Sequence, residues 1–269
     1  MTNNTVKFEK VTFGKRLKSM LKVDFRRMFL SKHFYIIIAC ALVIPILMTV
    51  MMCMMDGSVS VDQQTGQEII MQGPENAWQN IGTLPVGPLP GDDVFMMCNI
   101  NMAFIGVAVF VCLFICDDFR SGYAKNLFTV RAKRSEYVVS KTLAGFVCGV
   151  LMLIAYFVGS IIGGAISSLS FDLHGLNAGN IIMCMLAKMF LMLVFVSIFT
   201  LISVASKQKT WLAICGSLGG GMLLFMMVSL VTPLASTIVN VLLCAVGGAI
   251  FAFGLGAISC AVLKKSSMV

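Results

Sequence analysis

Long apolar runs alternate with short polar stretches along the whole chain. The runs fall at residues 34–55, 94–116, 142–167, 179–203, 211–231 and 236–263. Each is long enough to cross about 30 Å of hydrocarbon as a helix rising about 1.5 Å per residue. The pattern predicts an all-α polytopic membrane protein with about six transmembrane helices. The last two runs are separated by little more than Thr232-Pro233-Leu234-Ala235, a tight turn in which proline ends a helix. Ahead of the first run, Leu17, Met20, Leu21, Phe25, Met28 and Phe29 recur at helical spacing, with Lys15, Arg16, Lys18, Lys22, Arg26 and Arg27 between them. That spacing predicts a basic amphipathic helix lying flat among the inner headgroups. Anchoring the topology and coupling to a partner are both open as its role. Residues 1–33 therefore read as a cytoplasmic segment, and 34–269 as the transmembrane domain.

Composition agrees. Of 269 residues, 58% are hydrophobic and 12% charged, against about 25% charged in a soluble domain. The net charge of +8 does not point to nucleic acid, because the charges sit at the ends of apolar runs where lipid headgroups lie. Nineteen of the 20 basic residues fall on one side of the predicted membrane, and the opposite side has no Lys or Arg. This positive-inside pattern makes both termini cytoplasmic. Tyr35 and Trp211 fall at the inner interface, as belt aromatics do. The first apolar run follows a long basic segment and is too long for the core of a cleavable signal peptide. The expected location is the cell membrane.

The largest external piece is the loop 56–93, with Asp56, Asp62, Glu68, Glu75, Asp92 and Asp93 and no basic residue. Ser58-Val59-Ser60-Val61 and Glu68-Ile69-Ile70-Met71 flank Gln64-Thr65-Gly66-Gln67, which predicts a short hairpin. Pro85, Pro88 and Pro90 make the return extended. The carboxylates follow no calcium-loop spacing and read as a solvated acidic surface. Eight of the ten cysteines lie in or beside apolar runs without metal spacing and read as small packing residues. Cys53 and Cys98 both fall near the outer surface, which leaves a disulfide between them open.

Catalytic equipment is thin. His33 and His174 lie on opposite sides of the membrane and cannot share a metal. There is no His-Glu-x-x-His pair and no phosphate-binding Gly-Lys-Ser/Thr loop, so no metal, cofactor or nucleotide hydrolysis is expected in this chain. Glycines recur four apart at Gly145 and Gly149, Gly159 and Gly163, and Gly216 and Gly220, which lets helices approach within the chain or between subunits. Lys188 is the one basic residue inside a run. A lysine in hydrocarbon is costly, by about 2.5–3.5 kcal/mol on insertion scales. Three placements take it out of lipid. It snorkels toward Asp172 or Asp92, it sits neutral against backbone carbonyls and hydroxyls, or it lines a water-filled translocation pathway and meets an anionic part of a cargo.

The segment 117–141, between the second and third runs, carries the most information. It opens with Asp117-Asp118-Phe119-Arg120-Ser121-Gly122-Tyr123-Ala124-Lys125 and closes with Ser140-Lys141. Here the chain resembles the permease subunits of bacterial ABC-type exporters of the type-2 class, in the antibiotic-peptide and multidrug branch. The matching positions are Asp117 or Asp118, Gly122, Leu127, Arg134 and Ser140-Lys141, with Asp24-Phe25-Arg26-Arg27 to Ser31 ahead of the first span. Val130-Arg131 stands where the family often has Pro or Ser before the basic group. The resemblance implies that two permease copies, identical or related, form the pathway for a peptide, antibiotic or lipid-like amphiphile. Separate ATP-binding subunits would dock at Asp117, Asp118, Arg120, Gly122 and Lys125, in a cytoplasmic coupling loop. Two rival readings have the same topology: a membrane immunity or sensor-partner protein, and an intramembrane enzyme. The near absence of ionisable residues inside the spans argues against the second.

Overall fold

The computed structural model describes residues 12–61, 68–70, 73–82, 99–130 and 133–265. Among these residues eight α-helices follow in chain order: α1 (Phe13–Leu30), α2 (Lys32–Met54), α3 (Met102–Arg120), α4 (Tyr123–Val130), α5 (Arg134–Ile166), α6 (Ala178–Ser206), α7 (Thr210–Val231) and α8 (Ile238–Lys265). All but α1 and α4 are long and apolar enough to cross a membrane, six candidate spans in all. The expected hairpin forms from β1 (Val59–Val61) and β2 (Glu68–Ile70), with Val59 opposite Ile70 and Val61 opposite Glu68. Its turn, the three prolines and Cys98 lie outside the described residues, and with Cys98 the question of its pairing with Cys53.

The spans form a bundle in which α3 and α6 are the most enclosed, while α2 and α8 lie outermost. α2 packs on α5, α8 on α6, and α3 touches α5, α6 and α7. Small residues set these contacts. A methyl at Gly149 would lie 2.6 Å from Met192 Cγ, and one at Gly159 would lie 2.3 Å from the Leu42 carbonyl oxygen. Two of the glycine pairs are thus used inside the chain, the first against α6 and the second against the stretch of α2 around Pro45. Proline there has no N–H to donate, and Thr49 Oγ1 donates to the Pro45 carbonyl at 2.7 Å.

Two expectations change. α3 runs on to Arg120 and α5 begins at Arg134, so the segment 117–141 is mostly helical, with α4 between them. The apolar stripe of α1 packs against α5 and buries Met20 and Met28, so protein covers the face expected to meet lipid. Of that stripe Phe29 stays exposed, as do Phe13, Val23 and Leu30 outside it.

At the acidic end, a 3₁₀ turn over Ala77–Asn80 caps the bundle. Asn80 Nδ2 donates to Thr49 Oγ1 of α2 at 2.9 Å, and the Asn80 carbonyl accepts from the Ile100 N–H at 2.8 Å. Ala77 presses on Gly164 of α5, and Gly82 on Leu234 in the turn between α7 and α8. Trp78 Nε1 donates to the Phe171 carbonyl at 3.0 Å.

Candidate coupling site at the basic end

The helical spacing of α1 that buries Met20 and Met28 also puts Asp24 on the buried face. A carboxylate there needs a cation, because an unpaired buried charge costs several kcal/mol. Lys141, in the second turn of α5, supplies it. Its Nζ lies 2.7 Å from Asp24 Oδ1 and 2.7 Å from Asp118 Oδ2 on α3. Asp24, Asp118 and Lys141 are all essentially without solvent exposure. Arg27, one turn beyond Asp24, approaches the other oxygen of Asp118 with Nη1 at 2.7 Å. Two carboxylates thus face two cations, and the cluster is neutral as a whole.

Neutral donors and rings complete the shell. Ser140 Oγ donates to Asp24, and Tyr137 OH donates to Asp118 Oδ2 at 3.0 Å. The Lys141 ammonium sits 4.0 Å from the Phe114 ring centre, and the Arg27 guanidinium 4.3 Å from that of Tyr123. Both are cation–π contacts in a partly desolvated place. Burial works to lower the pKa of Arg27, but the carboxylates of Asp118 and Asp24 outweigh it and hold it above its ordinary value. Burial, with the Asp24 carboxylate second, pushes the Tyr123 phenol up. Arg16 and Glu136 add a separate bridge at 2.8 Å between α1 and the first turn of α5.

α4 hangs from this cluster. Gly122 turns the chain out of α3 with φ +75, a left-handed conformation that glycine adopts freely. Ala124 is buried, while Tyr123, Leu127 and Phe128 are half-buried. Phe128 meets Tyr137 edge-on, with ring centres 5.2 Å apart. The opposite face, Lys125, Asn126 and Thr129, is exposed.

Of the residues expected at a partner contact, Asp117, Arg120 and Lys125 are exposed and Gly122 is half-buried. Asp118 is different. It is buried against Lys141, Arg27 and Tyr137 and offers no exposed surface in this chain. Lys188 of α6 lies far from this cluster and is fully buried. Its Nζ donates to Asn101 Oδ1 at 2.7 Å and Thr232 Oγ1 at 2.9 Å, joining the residues that flank the outer ends of α3 and α7. A side-chain amide oxygen and a hydroxyl oxygen hold the amine.

Sequence reasoning missed Asp24, Arg27, Tyr137 and Lys141 as a unit. The signal was Asp24 itself, a carboxylate within an apolar stripe. Its partner could not be found by spacing, because Lys141 is 117 residues away.

The family model for ABC-2 family transporter proteins matches residues 21–222, a stretch that takes in α1 from Leu21 onward and most of α7. No curated protein and no solved structure matches the chain.

Proposed function

Because the chain belongs to the ABC-2 family of transporter proteins, and is thus the multi-pass membrane component of a transporter, we propose that it drives export with ATP hydrolysed on a separate subunit. With a second permease copy it forms the pathway for a peptide, antibiotic or lipid-like amphiphile leaving the cell. The helix α4 is the contact for the ATP-binding subunit, through Lys125, Asn126 and Thr129, with Asp117, Arg120 and Gly122 at its approach.

One observation carries this reading. The exposed face of α4 is backed by a buried, charge-neutral cluster that ties it to α1, α3 and α5 together. A push on a mobile loop is absorbed by the loop. A push on α4 meets Tyr123 and Phe128, then Arg27 and Tyr137, then the carboxylates on two further helices. Packed elements joined in this way move as units. The half-buried flank of α4 is fixed to the bundle, and its free flank offers a cation and two polar side chains to a partner.

The test is co-expression with a candidate ATP-binding subunit. The pair should co-purify, and export of the cognate cargo should require both. Lys125→Glu should leave the permease inserted and the cluster intact while lowering cargo-stimulated ATP hydrolysis. Full coupling in that variant, together with a Thr129→Arg variant that also couples normally, would remove α4 from the contact.

A further inference from the structure

A second cluster of cations, apart from the coupling cluster, has no carboxylate paired with it among the described residues. Lys133, Arg134 and Ser135 at the start of α5, Phe128 at the end of α4, and Cys260 and Lys264 at the end of α8 line a cavity of about 380 Å³. Among the described residues Lys133, Arg134 and Lys264 make no ion pair. Arg134 Nε is shielded from solvent and has no hydrogen-bond partner among them. Such an atom ordinarily carries a desolvation cost until something accepts from it. The nearest carboxylate in sequence, Glu136, is turned to Arg16 Nε and to the Lys133 backbone N–H. The first backbone N–H groups of a helix have no partner within it, and its dipole adds positive potential there.

We infer that this cavity binds a phosphate group, carried by an anionic phospholipid of the inner leaflet or by free phosphate. The chemistry fits at each wall. Arg134 offers a planar fork for two phosphate oxygens, Lys133 and Lys264 offer compact charges, and Ser135 offers a hydroxyl. Phe128 and Cys260 make the remaining wall apolar, which suits the glycerol and upper acyl carbons of a lipid. The occupant would bridge the end of α8 to the corner between α4 and α5, and so stiffen the corner from which α4 hangs. This site does not depend on the exporter reading.

The test uses the full chain purified in detergent and follows alkylation of Cys260 by N-ethylmaleimide, read by peptide mass spectrometry. Cys215, exposed on α7, is the internal control. Added phosphatidylglycerol should slow Cys260 several-fold and leave Cys215 unchanged, while phosphatidylcholine should do neither. Arg134→Gln and Lys264→Gln should each weaken the protection by roughly five-fold, the share of one cation near an anionic headgroup. Lys22→Gln, an exposed charge on α1, should not. Inorganic phosphate at millimolar concentration is the second arm. Protection by phosphate alone assigns the site to a free anion, and protection by phosphatidylglycerol alone assigns it to lipid. No protection in either arm overturns the inference, as does equal slowing of Cys215 or equal loss in the Lys22 variant.

Discussion

Lys141 on α5 and Asp24 on α1, 117 residues apart in sequence, meet at 2.7 Å inside a region without solvent. Lys141 also reaches Asp118 at the same distance. One cation therefore balances two helices at once, and its removal leaves the cluster with net negative charge.

That balance gives a first prediction. Lys141→Met should destabilise the protein by about 3–5 kcal/mol, the cost of breaking a buried pair on one side. The double variant Asp24→Asn with Lys141→Met restores neutrality and leaves Arg27 with Asp118. It should be more stable than Lys141→Met alone. Thermal unfolding of the detergent-solubilised variants measures both, and a double variant less stable than the single would contradict the neutral-cluster account.

Asp118 and Arg120 are two residues apart and should behave differently. Asp118→Lys puts three cations beside one carboxylate in a buried place, so it should cut membrane abundance sharply. Arg120→Glu changes an exposed residue, so abundance should stay near wild type. Quantitative immunoblotting of membranes separates the two; equal abundance would mean that Asp118 is not held as described.

Gly159 and Gly254 provide a packing test. Gly159→Ala sets a methyl against the Leu42 backbone, whereas a Cβ at Gly254 meets nothing within 4 Å. Gly159→Ala should cost about 1–3 kcal/mol or more by overpacking, while Gly254→Ala should be neutral or slightly stabilising through helix propensity. Melting temperatures of the two variants check this directly.

Lys188→Met removes a buried amine but keeps its length and apolar stem. Asn101 loses a donor, while Thr232 Oγ1 keeps its own bond to the Val228 carbonyl at 2.7 Å. Loss of abundance would mean that the lysine ties α3, α6 and α7 together. Normal abundance with lost export would mean that it meets cargo, and normal values of both would deny it either role.

The topology is open to labelling. Ser58 is exposed beside β1, so Ser58→Cys should react with an impermeant maleimide on intact cells. Lys125→Cys should react only after the membrane is opened. Reaction of the second on intact cells would reverse the assigned orientation.

The six spans and the hairpin were legible in the sequence because both rest on local periodicity. The boundaries of α5 were not. Hydropathy falls at Lys141 and Glu136, yet the helix continues because Asp24 and Asp118 receive the first charge and Arg16 the second. Charge near a span reads as headgroup contact in one dimension and as a buried ion cluster in three. The exposed face of α4 could be expected from its polar residues, but the burial of Asp118 next to exposed Asp117 could not. Two adjacent carboxylates on a helix point about 100° apart, and only the neighbouring helices decide which one is covered.

For the proposed exporter, the cap at the acidic end bears on where a cargo could leave. Asn80, Ala77 and Gly82 join it to α2, α5 and the turn between α7 and α8 of the same chain. A channel down the axis of one protomer would have to tear out this plug, and with it the Asn80 hydrogen bonds and the fit at Gly82. A route along the flank of the bundle disturbs none of them. The doorway is therefore cheaper to build at a seam than through a roof.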